Sequence, residues 1–163
     1  MASALGRAEL TRVLETAMAQ GADFAEVFVE ERHSAAVVCE DDRIEKVTTG
    51  REVGIGLRVL VGESTAYGYA NELSPEALLG LARTVAEAAK LRGGGSAVVN
   101  LRRTPVPYEL TVLRPPAEAA VSDRVALVQR ANATARREDP RIKQVMVNYA
   151  DTLQRVWIAN SEG

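Results

Sequence analysis

The sequence predicts an α+β fold: an antiparallel β-sheet with long N-terminal strands, a central hairpin and a C-terminal hairpin, and three main helices packed on it. Three observations predict it. Residues 53–70, VGIGLRVLVGESTAYGYA, alternate Val53, Ile55, Leu57, Val59 and Val61 without a break, the period of a strand with one buried face. Three other stretches repeat apolar residues at three and four positions, the period of a helix. At 163 residues, 47% hydrophobic and 26% charged, the chain is long enough to bury a core and ordinary for a globular protein. Aromatics are only 4%, so that core must be mostly Val, Leu and Ala.

In chain order, residues 5–20 read as a helix with Leu10, Val13, Leu14, Ala17 and Met18 in one stripe. Gly21 follows where a left-handed residue ends a helix. Residues 23–39 read as extended, Ala25, Val27 and Val29 on one face, Phe24 and Phe28 on the other. That length predicts a bulge or bend near Arg32-His33-Ser34. Asp41-Asp42 reads as a hairpin turn into residues 43–49, strained because Asp tolerates positive φ less well than Gly; on that ground Asp42→Gly is expected to be neutral or stabilising. Gly62-Glu63 turns the central hairpin. Ser74-Pro75-Glu76 starts a helix with a capping hydroxyl, a proline at the first position and an acid at the positive end. This helix runs to about Leu91, with Leu78, Ala82, Val85, Ala86 and Ala89 inward. Gly54 and Gly56 are expected to let it approach the sheet.

Gly93-Gly94-Gly95-Ser96 is a linker, and Pro105, Pro107, Pro115 and Pro116 predict an extended, irregular passage after it. Ser122-Asp123 is expected to cap a helix to Glu138, with Val125, Val128, Ala131 and Ala135 inward. Residues 142–149 and 153–160 are expected to form a second hairpin through Ala150-Asp151-Thr152. The resulting organisation is residues 1–92 (helix, strands, helix), 93–121 (Gly/Pro-rich connector, its order open) and 122–163 (helix and hairpin).

Composition excludes several functions. A net charge of −2 with both signs interspersed offers no clustered basic face for nucleic acid. No apolar run approaches the roughly 18 residues of a membrane span. The opening MASALGRAELTRV has no signal-peptide core. Cys39 is alone, so no internal disulfide forms, and a cytoplasmic location is expected.

No motif supplies a catalytic, cofactor-binding or metal site. His33 and Cys39 share a strand face but stand about 20 Å apart by strand rise, too far for one metal, and they read as a solvated residue and a small buried thiol. Gly54-Ile55-Gly56 lacks the third glycine and the following helix of a dinucleotide fingerprint. Glu40, Asp41, Asp42 and Glu45 lack the alternating oxygens of a calcium loop and read as a solvated turn. Glu30-Glu31 would point to opposite faces. Asn132-Ala133-Thr134 matches a glycosylation acceptor by chance, inside a helix.

The pieces GADFAE (21–26), EER (30–32), EDDR (40–43), GIGLR (54–58) and YGYANELS (67–74), in this order and spacing, resemble the N-terminal domain of the TldD/PmbA family, the modulators of DNA gyrase, nearer its TldD branch. The closing VWIANSEG (156–163) resembles the passage toward a second domain. Asp42 departs from the glycine common there in the family. The resemblance implies a cytoplasmic zinc-dependent peptidase, a hydrolase of unfolded or small peptides that works with a paralogous TldE/PmbA-type subunit or as a self dimer. Its zinc motif, a helical H-E-x-x-x-H with a distant further ligand, would use a metal-polarised water and a glutamate base. This chain has one histidine and no H-E pair, so none of those residues carries over. The expectation is a non-catalytic N-terminal domain, either an excised part of a longer protein or a truncated gene product, inactive and without zinc alone. It would contribute to a subunit interface and a peptide chamber, and would contact neither nucleic acid nor membrane. The alternative is a free-standing interaction module with no enzymatic activity.

Overall fold

The structure, a computed structural model, describes residues 5–89, 101–102 and 111–163. The chain runs α1 (Arg7–Met18), β1 (Phe24–Glu40), β2 (Arg43–Val61), β3 (Ser64–Ala70), α2 (Pro75–Ala89), a 3-10 turn (Pro116–Glu118), α3 (Val121–Glu138) and β4 (Met146–Asn160). The strands form one four-stranded antiparallel sheet in the order β3-β2-β1-β4, so the α+β expectation holds. The chain divides into two compact units. Unit 1 gathers Met1–Glu31, Glu52–Tyr108 and Arg155–Gly163; unit 2 gathers Arg32–Arg51 and Glu109–Gln154. The triple glycine at 93–95, Pro105, Pro107 and the expected end of the second helix at Leu91 lie outside the described residues.

Unit 1 follows the apolar periodicities. Val13, Leu14, Ala17 and Met18 bury one stripe of α1, and Gly21 stands at φ 87°, the left-handed conformation expected after the helix. Glu9 accepts the Gly6 N–H at its start, half of a capping box. The Ala77 N–H donates to Ser74 Oγ (3.3 Å), capping α2 ahead of Pro75. The two helices pack on each other and on Ala25, Val27, Val29, Ile55, Leu57, Val59 and Val61, a core of small and branched side chains with no fully buried aromatic among the described residues. β2 and β3 pair from Val61↔Ser64 to Ile55↔Ala70 without interruption, turning at Gly62 (φ 56°). The glycine that admits α2 is not Gly54 or Gly56 but Gly68. A Cβ there would stand 2.7 Å from Val85 Cγ2 and 2.8 Å from Leu81 Cδ1. Gly56 serves the opposite face, where the Tyr67 ring lies over the space its side chain would fill. Strand alternation explains the exchange: Gly68 stands opposite inward Leu57, Gly56 opposite outward Tyr69.

β1 is a single strand of 17 residues. Its odd positions face inward from Ala25 to Cys39, so no extra residue enters near Arg32-His33-Ser34. The phase changes in β2 instead. Ile44 packs against the cluster of Val37, Cys39 and Val128, while Ile55, Leu57, Val59 and Val61 share a cluster with Ala25, Val27 and Val29. Inward positions in β2 thus pass from even to odd, which requires one added residue relative to β1. The phase is free to change there because residues 45–52 are exposed, whereas burial holds β1 in register.

In unit 2, Asp41 and Asp42 both take positive φ (48° and 63°), a two-residue hairpin turn as expected. The expected C-terminal hairpin is absent. β4 runs unbroken through Ala150-Asp151-Thr152 as one 15-residue strand beside β1. The Ser161 N–H donates to Ala25 O (2.9 Å) at one end and the Asp41 N–H to Val145 O (3.3 Å) at the other, in one antiparallel register. Asp151 lies inside this strand, its carboxylate accepting from Arg124 and Tyr149. α3 also departs from expectation. Its buried residues are Arg124, Val128 and Asn132, one turn apart, with Val125 and Ala135 half-buried and Ala131 exposed. Ser122 makes no cap; the Asp123 N–H donates to Ala120 O (3.1 Å) instead.

Candidate functional site

The residues weighed as site candidates are dispersed. Cys39 is fully buried against Val37 and Val128. His33, on the same face of β1, is half-buried and engaged by a neighbour. Glu31 is buried and Glu30, on the other face, half-buried, as alternation requires. Gly54 and Gly56 lie inside β2, with no helix N-terminus after them. Among the described residues no three His, Cys, Asp or Glu side chains cluster to hold a metal ion.

What the structure does bring together is a polar constellation in unit 2 that periodicity hides. Arg124 is buried, and each of its three guanidinium nitrogens has a partner. Nε donates to Asp151 Oδ2 (2.7 Å), Nη1 to Ala119 O (2.8 Å) and Nη2 to Pro116 O. The Tyr149 hydroxyl donates to the same Asp151 oxygen (2.7 Å). Burial pushes the Asp151 carboxyl up, but the hydrogen bonds from Arg124 and Tyr149 outweigh it and hold the group below its ordinary value. The bond to Asp151, with burial, pushes the Tyr149 phenol up. Two turns further on, Asn132 donates through Nδ2 to Asp42 Oδ1, and Arg136 Nη2 donates to Asp41 Oδ1 (3.1 Å). The Asn132 side chain therefore faces protein, and its glycosylation-like sequence is coincidental. Chemically this arrangement braces. Arginine stays a cation in proteins, so it has no proton to give to a reaction, and its three nitrogens are held by Asp151 and two backbone carbonyls. A basic residue followed by Val one turn on and Asn two turns on, opposite an Asp in a strand, is the signal available in the sequence.

Unit 1 presents a different surface. Its helices cover one face of the sheet. On the other stand Phe24 and Phe28 of β1, Tyr67 and Tyr69 of β3, and Val156 and Ile158 of β4; Tyr69 is 80% exposed, Tyr67 65% and Ile158 61%. Four of the chain's seven aromatic residues thus lie outside the core. Arg58 spans this face, donating from Nη2 to Glu26 Oε1 (3.0 Å) with its guanidinium 5.9 Å from the Phe24 ring centre. A cavity of about 430 Å³ opens beside Arg7, Leu10, Arg102 and Ile158.

Two family models match in order along the chain. The PmbA/TldA metallopeptidase domain 1 matches residues 25–91, and the PmbA/TldA metallopeptidase central domain matches residues 114–163. The chain belongs to the TldD/PmbA family. A "Metalloprotease TldD homolog" of Buchnera aphidicola is 22% identical over 150 residues, covering 92% of this chain and 31% of the relative. Another of that name, from Haemophilus influenzae, is 22% identical over 162 residues, covering 99% and 34%. Among solved structures, a putative modulator of DNA gyrase from Thermotoga maritima superposes with a TM-score of 0.72 at 18% identity, over 96% of this chain and 35% of its own. TldE from Thermococcus kodakarensis gives 0.67 at 18%, over 95% and 35%. These likenesses show the fold. The chain spans about a third of the length of the curated relatives it matches. No helix of the described residues is long and apolar enough to cross a membrane.

Proposed function

We propose that this chain is a non-catalytic N-terminal portion of a TldD-like zinc-dependent peptidase acting on unfolded or small peptides, and that it contributes to a subunit interface and to the wall of the peptide chamber. The observation that carries this reading is the succession of family domains, domain 1 and then the central domain, on a chain with a single histidine. A helical H-E-x-x-x-H site needs two histidines on one helix, and the single histidine, His33, lies on the strand β1. The names of the two curated relatives favour the TldD branch and a metalloprotease. In this reading zinc belongs to a part of the protein outside these residues. The partner is a TldE/PmbA-type subunit or a second copy, and the location is cytoplasmic.

The open aromatic face of unit 1 favours the interface role, because interface cores are enriched in aromatic residues and depleted of charge. The same face would serve a free-standing interaction module. The reading frame separates the two: continuation past Gly163 into a histidine-glutamate helix supports the peptidase, and a native stop codon supports the module. For the purified chain, metal analysis is expected to find no stoichiometric zinc, and a peptide-cleavage assay no chelator-sensitive activity. One zinc per chain with such activity would overturn the non-catalytic assignment.

A further inference from the structure

The cavity of about 430 Å³ lies within unit 1, between the start of α1, Leu101-Arg102 and the end of β4. That volume is of the size that holds a small ligand. Its lining divides by chemistry. Arg7, the first residue of α1, and Arg102 bring two guanidinium groups, while Leu10 and Leu101 bring apolar walls that continue into the core. No acidic side chain lines it. Glu9, next along α1 after Ala8, is turned to the Gly6 N–H. Among the described residues neither of these arginines has an ion-pair partner, whereas Arg58, Arg124, Arg136 and Arg141 each do.

The end of β4 supplies a third kind of group. The Ser161 N–H donates to Ala25 O and the Asp41 N–H to Val145 O, so the odd-numbered residues of β4 turn their backbone groups toward β1. Among the described residues β4 is an edge strand, with β1 as its neighbour. Ile158, an even-numbered residue that lines the cavity, therefore turns its N–H and C=O away from the sheet. Guanidinium groups fork onto carboxylates. Two of them, apolar walls and an outward-facing peptide unit together match one kind of molecule. We propose that this cavity binds the C-terminal end of a peptide whose last residue is apolar. Arg7 and Arg102 hold the terminal carboxylate, Leu10 and Leu101 take the last side chain, and Ile158 pairs with the peptide backbone. A free phosphate would satisfy the arginines but leave the apolar walls facing water. A fatty acid would cover the N–H and C=O of Ile158 without pairing them. Both arginines are exposed, so salt weakens the binding. The site does no chemistry of its own; it holds the end of a chain that is cut elsewhere.

This site rests on the reading that the parent protein handles peptides, and it deepens that reading by naming the part of the peptide that is held. Its test is a titration of the full chain with acetyl-Ala-Ala-Leu at low salt, followed by NMR of the backbone amides. Gly163 borders the cavity, so the chain is amidated there and brings no carboxylate of its own. Saturable shifts are expected, largest at Leu101, Arg102 and Ile158. The same peptide ending in an amide is expected to bind about tenfold more weakly, because the charge-assisted hydrogen bonds are lost. Arg7→Gln and Arg102→Gln should each weaken the acid peptide about tenfold as well, with an otherwise unchanged spectrum, since both side chains are exposed. Equal binding of acid and amide overturns the proposal, and so does a titration that never saturates or shifts centred away from these residues. Full displacement of the peptide by an equal concentration of inorganic phosphate overturns it too, marking a bare anion site. The two readings fail separately. A frame that continues into a histidine-glutamate helix, with no peptide bound here, removes this site and leaves the peptidase. A native stop codon, with the acid peptide bound, removes the peptidase and leaves this site.

Discussion

The two units of this chain are stabilised by different physics. Unit 1 buries a continuous apolar core under α1 and α2, whereas the fully buried apolar residues of the unit 2 cluster are Val37, Cys39 and Val128. Unit 2 makes up the deficit with Arg124, Asp151, Tyr149, Asn132 and Arg136. A hydrophobic core is nearly indifferent to pH and to which chemically similar side chain fills it. A buried ionic brace depends on both partners and on their protonation. The difference predicts that the units respond separately to mutation and to acid.

The largest effect is expected in unit 1. Leu14 is fully buried in α1, and Leu14→Ala should cost about 2–5 kcal/mol through lost transfer energy and the cavity left behind. Urea unfolding followed by the fluorescence of Trp157, the only tryptophan and one packed on that core, should show the loss. A change under 1 kcal/mol would mean that the α1 contact is not part of the stable core.

A similar loss, about 3 kcal/mol, is expected for Arg124→Ala, which strands Asp151 and two carbonyls in a buried site. The contrast lies in the double variant. Replacing Arg124 and Asp151 together by leucine removes both charges and should recover the part of that loss that comes from the unpaired carboxylate, the two carbonyls still lacking their donor. No second substitution could rescue Leu14→Ala in this way. Hydrogen exchange of the α3 amides reads the effect where it occurs. A double variant as unstable as the single one would show that the brace matters for its shape rather than its charge.

The pH dependence follows with a definite sign. Asp151 is held below its ordinary value, so its contribution is present above the unfolded carboxylate value of about 4 and is lost as pH falls below that. Tyr149 is raised, so its contribution is present below about 10 and is lost as pH climbs above that value. Arg124 stays charged throughout. Acid titration should therefore release α3 protection before the Trp157 signal of unit 1 moves. Simultaneous loss of both would make the units one cooperative block.

The same contrast decides what the sequence reveals. α1, α2 and the β2–β3 hairpin are legible because Leu14, Leu78 and Leu57 sit in periodic apolar rows, and a row of that kind has one stable use. The buried face of α3 is not, because Arg124 and Asn132 look like surface until their partners on other elements are known. Asp151 reads as a turn for the same reason, and so the continuous β4 reads as a hairpin. The absence of a second histidine is plain from composition alone, so expectations about chemistry rest on counting rather than on geometry.

The smallest effect tests the boundary between local and tertiary control. By local propensity alone, Asp42→Gly should help, because glycine adopts the positive φ of this turn at no steric cost, a gain of about 1 kcal/mol. The substitution also removes the oxygen that accepts the Asn132 amide, leaving a side chain 3% exposed without that partner, and takes away a carboxylate 3.2 Å from Arg136 Nε. An unsatisfied buried amide costs about 1–3 kcal/mol, so the tertiary loss exceeds the local gain. A net destabilisation of about 1 kcal/mol is expected, with lower α3 protection. Adding Asn132→Leu should then bring out the stabilisation that glycine gives the turn. If Asp42→Gly alone raises the melting temperature, the clamp from α3 is weaker than the strain of the hairpin it holds.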